Sequence, residues 1–138
     1  MSKVNEAVKL FESGHLCSQA VFEVFSEDLG LASSEAFKIG ACFGSGMRKG
    51  EVCGACTGAL MVLGLKYGEN KAKCDEVSNK FFDEFKKENG SYLCRDLLKC
   101  DISTPEGVQY ARDNNLFKEF CPKMVASAAE IAEKIMDD

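Results

Sequence analysis

The chain has 138 residues, of which 46% are apolar and 28% charged, and its formal net charge is −5. A chain of this length can bury one hydrophobic core without disulfide bonds, so we expect a single domain over residues 1–138. The acidic balance argues against nucleic-acid binding, which needs a basic face. No apolar stretch approaches the roughly 20 residues of a membrane span, and no signal peptide is recognisable, so we expect no membrane association and a cytoplasmic location.

Apolar residues recur with helical spacing along almost the whole chain. Local signals support several boundaries: Gly30 and Gly90 follow predicted helices, and Thr104-Pro105-Glu106 is typical of an N-cap, a first-turn proline and an early acid. In chain order, the helices are predicted over about residues 4–13, 17–29, 33–42, 53–67, 69–89 and 92–99, then from Thr104 and from Cys121 onward.

No segment alternates polar and apolar residues long enough to predict a strand. The fourth predicted helix, residues 53–67, is apolar nearly all round, which is typical of a helix surrounded by others. The sequence therefore predicts an all-α fold, a compact bundle of about six to eight helices with residues 53–67 at its centre.

Eight cysteines are the chemically distinctive feature of the chain. In a reducing compartment this number favours metal binding or redox chemistry over disulfides, although cysteine is also a common core residue. Free N–H groups and the positive end of the dipole at a helix N-terminus stabilise a thiolate, the form that binds metal. Four thiols fall at predicted helix N-termini, the last of them at an N-cap before a proline: Cys17, Cys53, Cys94 and Cys121.

The other four cysteines differ in position. Cys56 lies three residues after Cys53, so both can share a helix face and Cys56 could join the same site. Cys42 and Cys74 are expected to be core residues, and Cys100 has no assignment from its position. The lone histidine, His15, is expected to be a solvent-exposed loop residue, with metal ligation as the alternative. Arg48, Lys49 and Arg95 are expected to be solvated charges beside the thiol-bearing segments.

Other sites built on these residues are less favoured. Interpreting Cys53-x-x-Cys56 as a thioredoxin-like redox motif requires a βαβ context, which the sequence does not predict. A structural zinc site normally uses two close pairs of ligands, and the second pair here, Cys94 and Cys100, is poorly spaced. The glycine-rich stretch FGSGMRKGE follows a helix and matches no phosphate-binding loop.

Four segments together resemble a known family: GHLCSQAV (residues 14–21), FGSGMRKGEVCGACTGAL (43–60), CRDLL (94–98) and CPKMV (121–125). They are similar to the redox-active protein family that is named for its C…GCAxxG…C…C pattern, and the resemblance covers nearly the whole chain. Cys56 occupies a variable position of that pattern. The four cysteines of the pattern correspond to Cys17, Cys53, Cys94 and Cys121.

The resemblance implies a redox or iron–sulfur role, since a related domain in split-Soret cytochromes carries a non-haem iron centre. We therefore expect an iron–sulfur cluster held by the four pattern cysteines, with Cys56 as a substitute ligand, acting in electron transfer with a protein redox partner. A cofactor-free dithiol/disulfide oxidoreductase and a structural zinc module remain the alternatives. Whether the chain is an enzyme stays open at this point, and the exposed helix faces are compatible with a homodimer.

Overall fold

The computed structural model describes residues 2–138, and in this part of the chain it contains no β-strand. The predicted all-α fold is therefore confirmed. No helix in residues 2–138 combines the length and the apolar character that crossing a membrane requires. The helices are α1 (Lys3–Glu12), α2 (Cys17–Ser26), α3 (Ser33–Ile39), α4 (Gly54–Tyr67), α5 (Lys71–Asn89), α6 (Cys94–Leu98), α7 (Pro105–Asp113), the four-residue α8 (Leu116–Glu119) and α9 (Cys121–Asp137).

Helix α4 is the centre of the main hydrophobic core, as its apolar sequence predicts. It packs against α2, α5 and α9, while α1 packs against α2 and α9. Helices α2 and α4 approach closely because a glycine faces the contact: a Cβ on Gly58 would lie 2.6 Å from the carbonyl oxygen of Ser18. From α5, Phe81 and Phe85 fill the core as a stacked pair with ring centroids 5.9 Å apart.

A second, smaller apolar cluster lies under α6, α7 and α8. Its buried members are Cys94, Leu98, Ile102 and Ala111, and Cys121 at the start of α9 packs against them. Helix α7 begins as predicted, because the Thr104 hydroxyl accepts the Gly107 N–H at 3.0 Å and Pro105 occupies the first turn. Some of the cysteines belong to the first cluster and others to the second, so a site that uses both sets must lie where the two clusters meet.

Two predicted boundaries are wrong. Helix α6 begins at Cys94 rather than at Tyr92, because Leu93 is extended and forms an isolated antiparallel bridge with Val52. Helix α3 ends at Ile39, and the residues after it tighten into a 3₁₀ turn over Gly40–Cys42. The single turn α8 was not predicted, since four residues carry too little periodicity to be recognised.

The glycine-rich loop contains a left-handed turn. Ser45, Gly46, Met47 and Arg48 have consecutive φ values of 57°, 61°, 58° and 64°. Each non-glycine residue in this conformation costs roughly 1–2 kcal/mol. The turn is held by the Glu51 N–H, which donates to the Gly46 carbonyl at 2.9 Å, and by the Arg48 guanidinium, which donates to the Ala41 carbonyl at 2.9 Å. Strain of this kind is characteristic of functional sites.

Replacing Gly58 by alanine should destabilise the protein by about 1–3 kcal/mol, because the added methyl group overpacks the contact between α2 and α4. The Cβ would also lie 3.2 Å from Cβ of Val21, so neither neighbour is a flexible chain end. The matched control is Gly64→Ala in the same helix, where nothing lies within 4 Å and helix propensity should add about 0.5–1 kcal/mol. Urea unfolding followed by circular dichroism measures both changes, and equal effects would contradict the packing argument.

Candidate functional site

Four cysteines from distant parts of the chain line one cavity of about 350 Å³. They are the four that the helix N-termini and the family pattern singled out: Cys17, Cys53, Cys94 and Cys121. The cavity lies where the two apolar clusters meet, with Cys17 and Cys53 belonging to the first and Cys94 and Cys121 to the second. The helices therefore bring together thiols that the sequence could only place at separate helix starts.

The isolated bridge positions two of these thiols. The Cys53 N–H donates to the Tyr92 carbonyl at 2.8 Å, and the Cys94 N–H donates to the Glu51 carbonyl at 2.6 Å. These bonds hold the start of α4 beside the start of α6. Both thiols are nearly enclosed, with Cys53 7% and Cys94 8% exposed. A backbone-fixed, buried pair of thiols is well suited to holding a group without side-chain rearrangement.

Cys17 occupies the first position of α2 and is packed against the start of α4. The Cys17 sulfur accepts N–H bonds from its own helix start and from Ser45 of the left-handed turn. A Cβ on Gly54 would collide with the Cys17 sulfur, so only glycine fits there without displacing it. Gly46 has a similar role beside Cys94, whose Cβ would lie 2.9 Å from an added Cβ. The strained turn therefore supplies a donor to Cys17 and leaves room for Cys94 at Gly46, while Gly54 at the start of α4 leaves room for Cys17.

Helix α9 begins one residue earlier than predicted: Cys121 is its first residue, and Phe120 is the N-cap. Pro122 follows in the first turn, where a missing N–H costs nothing. All four cavity thiols are therefore within one residue of a helix start, as the sequence predicts: Cys17, Cys94 and Cys121 at first helical positions and Cys53 at an N-cap.

Electrostatics distinguishes Cys53 from the other cavity thiols. Its pKa is lowered from 9.0, chiefly by a hydrogen bond donated by the Cys56 thiol, against the opposing effect of burial. The N–H groups of Ala55 and Cys56 also stabilise the thiolate. Burial raises the pKa of Cys17 to about 12 and that of Cys121 to about 12, and it raises the pKa of Cys94 as well. In the metal-free protein Cys53 is therefore the first of these thiols to ionise.

Cys56 supports this thiolate from outside the cavity. Its side chain is completely buried, and it lines none of the cavity surface. Burial, followed by the hydrogen bond to Cys53, raises the pKa of Cys56, so it remains a proton donor while Cys53 is ionised. Proximity to Cys53 was predicted from the three-residue spacing, and the structure gives that proximity a chemical role.

Replacing Cys56 by alanine should raise the pKa of Cys53, because the hydrogen bond that contributes most to the thiolate is lost. Labelling of Cys53 by iodoacetamide at neutral pH should become severalfold slower, since the thiolate is the nucleophile. Peptide mass spectrometry across a pH series measures the change. Cys56→Ser is the matched control, because its hydroxyl still donates, and an unchanged profile in the alanine variant would contradict the assignment.

The remaining cysteines lie outside the cavity. The prediction that Cys42 is a core residue is wrong, because the early end of α3 leaves its side chain exposed. Cys74 is half-buried and its thiol donates to the Tyr67 carbonyl at 3.2 Å. Cys100 is half-buried in the second apolar cluster. None of the eight cysteines is in a disulfide.

His15 lines the cavity and is not the exposed loop residue that the sequence predicts. Its Nε2 lies 2.8 Å from a carboxylate oxygen of Glu23, and its ring makes an edge contact with Phe37 at 4.9 Å between centroids. Arg48 and Lys49 are exposed as expected, whereas Arg95 is half-buried and pairs with Glu51 at 2.6 Å. The fold holds the imidazole between an acid and an aromatic ring.

Two polar residues of the cavity were missed by sequence analysis. Ser45 contributes a backbone N–H, which no side-chain pattern can signal, although its position between two glycines marks an unusual turn. Arg112 lines the cavity from α7, where its spacing of four residues from Val108 was the available signal.

The thiols surround a space and do not meet at a point. Within residues 2–138, no three His, Cys, Asp or Glu side chains are placed to hold a single metal ion. Four sulfur donors around a mostly apolar cavity are instead suited to a larger group, or to exchange of electrons among the thiols themselves.

The family comparison agrees with this chemistry. The family model described as "Putative redox-active protein (C_GCAxxG_C_C)" matches residues 15–135, which is well over half of the chain. No curated protein matches the chain, and no solved structure does. With a match of this extent, the chain belongs to the C_GCAxxG_C_C family of redox-active proteins.

Proposed function

We propose that the protein binds an iron–sulfur cluster through Cys17, Cys53, Cys94 and Cys121 and transfers electrons. One observation carries the proposal: four thiols from four helix starts line one cavity. When bound, such a cluster supplies one-electron redox chemistry, and cysteine thiolates are its usual ligands. The lowered pKa of Cys53 makes it the first of the four thiols to provide a thiolate for assembly.

The surroundings of the thiols fit this group. N–H groups from Ser18 and Ser45 point to the Cys17 sulfur, and those of Ala55 and Cys56 point to the Cys53 sulfur. Hydrogen bonds to sulfur tune the potential of a cluster. Gly54 leaves room beside Cys17, and most of the residues that line the cavity are apolar. These residues would offset the negative charge of a thiolate-rich site and limit its hydration.

Anaerobic reconstitution with iron and sulfide tests the proposal. We expect a brown protein in which iron and acid-labile sulfide are both bound in stoichiometric amounts. Colourless protein with neither element after reconstitution would overturn it. Stoichiometric zinc with loss of folding on chelation would instead identify the zinc alternative, which the absence of a single-ion arrangement in residues 2–138 does not favour.

A second candidate function, a dithiol/disulfide oxidoreductase, is favoured by the hydrogen bond between Cys56 and the Cys53 thiolate. The Cys53 thiolate would attack a disulfide substrate and release one thiol. Cys56 would then lose its proton and attack the mixed disulfide, which releases the second thiol and leaves a Cys53–Cys56 disulfide. Mild oxidation of metal-free protein followed by alkylation tests this: two thiols should be lost together, at Cys53 and Cys56.

The proposal also covers the domain organisation, the location and the partners of the protein. We propose that residues 1–138 act as one domain in the reducing cytoplasm, where the free thiols persist. Electrons would be exchanged with a protein partner, and a homodimer is compatible with the exposed helix faces. Size-exclusion chromatography with light scattering, on reconstituted protein, measures the oligomeric state.

A further inference from the structure

One wall of the thiol cavity is lined by residues that are not needed to hold a redox centre through cysteines. It is formed by residues 98–117 and is apolar apart from one arginine. Val108 and Arg112 lie one turn apart on α7 and both line the cavity, so they share a helix face. The apolar residues of this wall are Leu98, Ile102, Val108 and Phe117.

Arg112 differs from the other two arginines of the chain. Arg48 donates to a backbone carbonyl at 2.9 Å, and Arg95 forms an ion pair with Glu51 at 2.6 Å. In residues 2–138 Arg112 has neither an ion pair nor a side-chain hydrogen bond. It is exposed as well as lining the cavity, which places it at the rim. Its five N–H donors are therefore available to a ligand.

We propose that the cavity binds a small apolar carboxylate, with the apolar body against the wall of residues 98–117 and the carboxylate paired with Arg112. A guanidinium matches a carboxylate through two parallel hydrogen bonds, which a neutral ligand cannot reproduce. The volume of about 350 Å³ is within the range of small-molecule sites. Cys94 and Cys121 line the same cavity, so the ligand would lie beside redox thiols. The site does not depend on the cluster, because its walls come from the fold.

Calorimetric titration with 4-phenylbutyrate tests the site, on metal-free and on reconstituted protein. Its neutral isostere 4-phenylbutyramide should bind about three- to tenfold more weakly, because one charge-assisted pair is lost. Arg112→Gln should weaken binding of the acid to the level of the amide and leave the amide unchanged. Lys134→Gln is the matched control, since it removes the same charge from an exposed position outside the cavity.

A second variant tests the apolar wall. Val108→Phe should weaken binding of both probes by a similar factor, because it fills space that the acid and the amide share. Equal affinity for acid and amide, an unchanged affinity in Arg112→Gln, or no binding to folded protein would each overturn the proposal. Iron and sulfide measured on the same samples separate this result from the proposed function: carboxylate binding without iron would support the site and refute the cluster.

Discussion

Replacing Cys53 by serine should strongly reduce iron and sulfide binding in the reconstituted protein while the helical fold is retained. Cys53 is the thiol with the lowered pKa, and it faces the cavity from the N-cap of α4. A serine hydroxyl has nearly the same size but stays protonated near neutral pH, so a soft anionic donor is lost. We expect at least about tenfold less bound iron, because changes even outside the ligand shell cost about ten- to hundredfold in metal affinity.

Two further variants test whether the loss of iron and sulfide is specific to the replacement of Cys53. Cys42→Ser removes an exposed thiol outside the cavity and should leave iron and sulfide unchanged. Cys56→Ser tests the ligand set and should retain both elements, since Cys56 does not line the cavity. Wild-type iron in Cys53→Ser together with its loss in Cys56→Ser would transfer the ligand role to Cys56. Circular dichroism checks that each variant is folded.

Local signals explain why the sequence alone could locate the helix starts beside the four cavity thiols. A glycine precedes Cys17 and Cys94 by a few residues, and a proline follows Cys121 directly. Such residues act on the backbone within one turn, so their effect can be read without knowledge of the fold. The central position of α4 was equally predictable, because an apolar sequence on all faces must be surrounded.

Contacts between distant segments could not be predicted from such local signals. The bridge between Val52 and Leu93 joins residues 41 positions apart and has no side-chain signature. It determines that Cys53 and Cys94 are neighbours and that α6 starts late. The prediction for Cys42 failed for a related reason: an apolar residue near a helix end is buried only if the helix continues, and α3 ends first.

The metal-free protein should lose stability steeply above about pH 9, because unfolding releases thiols that burial keeps protonated. A raised native pKa gives stability that is complete below the unfolded value of 9.0 and is lost as the pH approaches the native value. For Cys17 and Cys121 that native value is about 12. Together they should remove about 3 kcal/mol per pH unit within this window, and Cys94 adds to the loss.

The ionisation of Cys53 does not offset this loss of stability with rising pH. Its native pKa is lowered, so above pH 9.0 it is ionised in the folded and the unfolded protein alike and its contribution is constant. Urea unfolding at about pH 8 and about pH 10 measures the slope, which is large beside a typical total stability of about 5–15 kcal/mol. The double variant Cys17→Ala/Cys121→Ala should show a shallower slope, whereas the control Cys42→Ala, which removes an exposed thiol outside the cavity, should keep the wild-type slope. If the double variant lost stability with pH as steeply as the wild type, the protonated, buried state of the cavity thiols would be refuted.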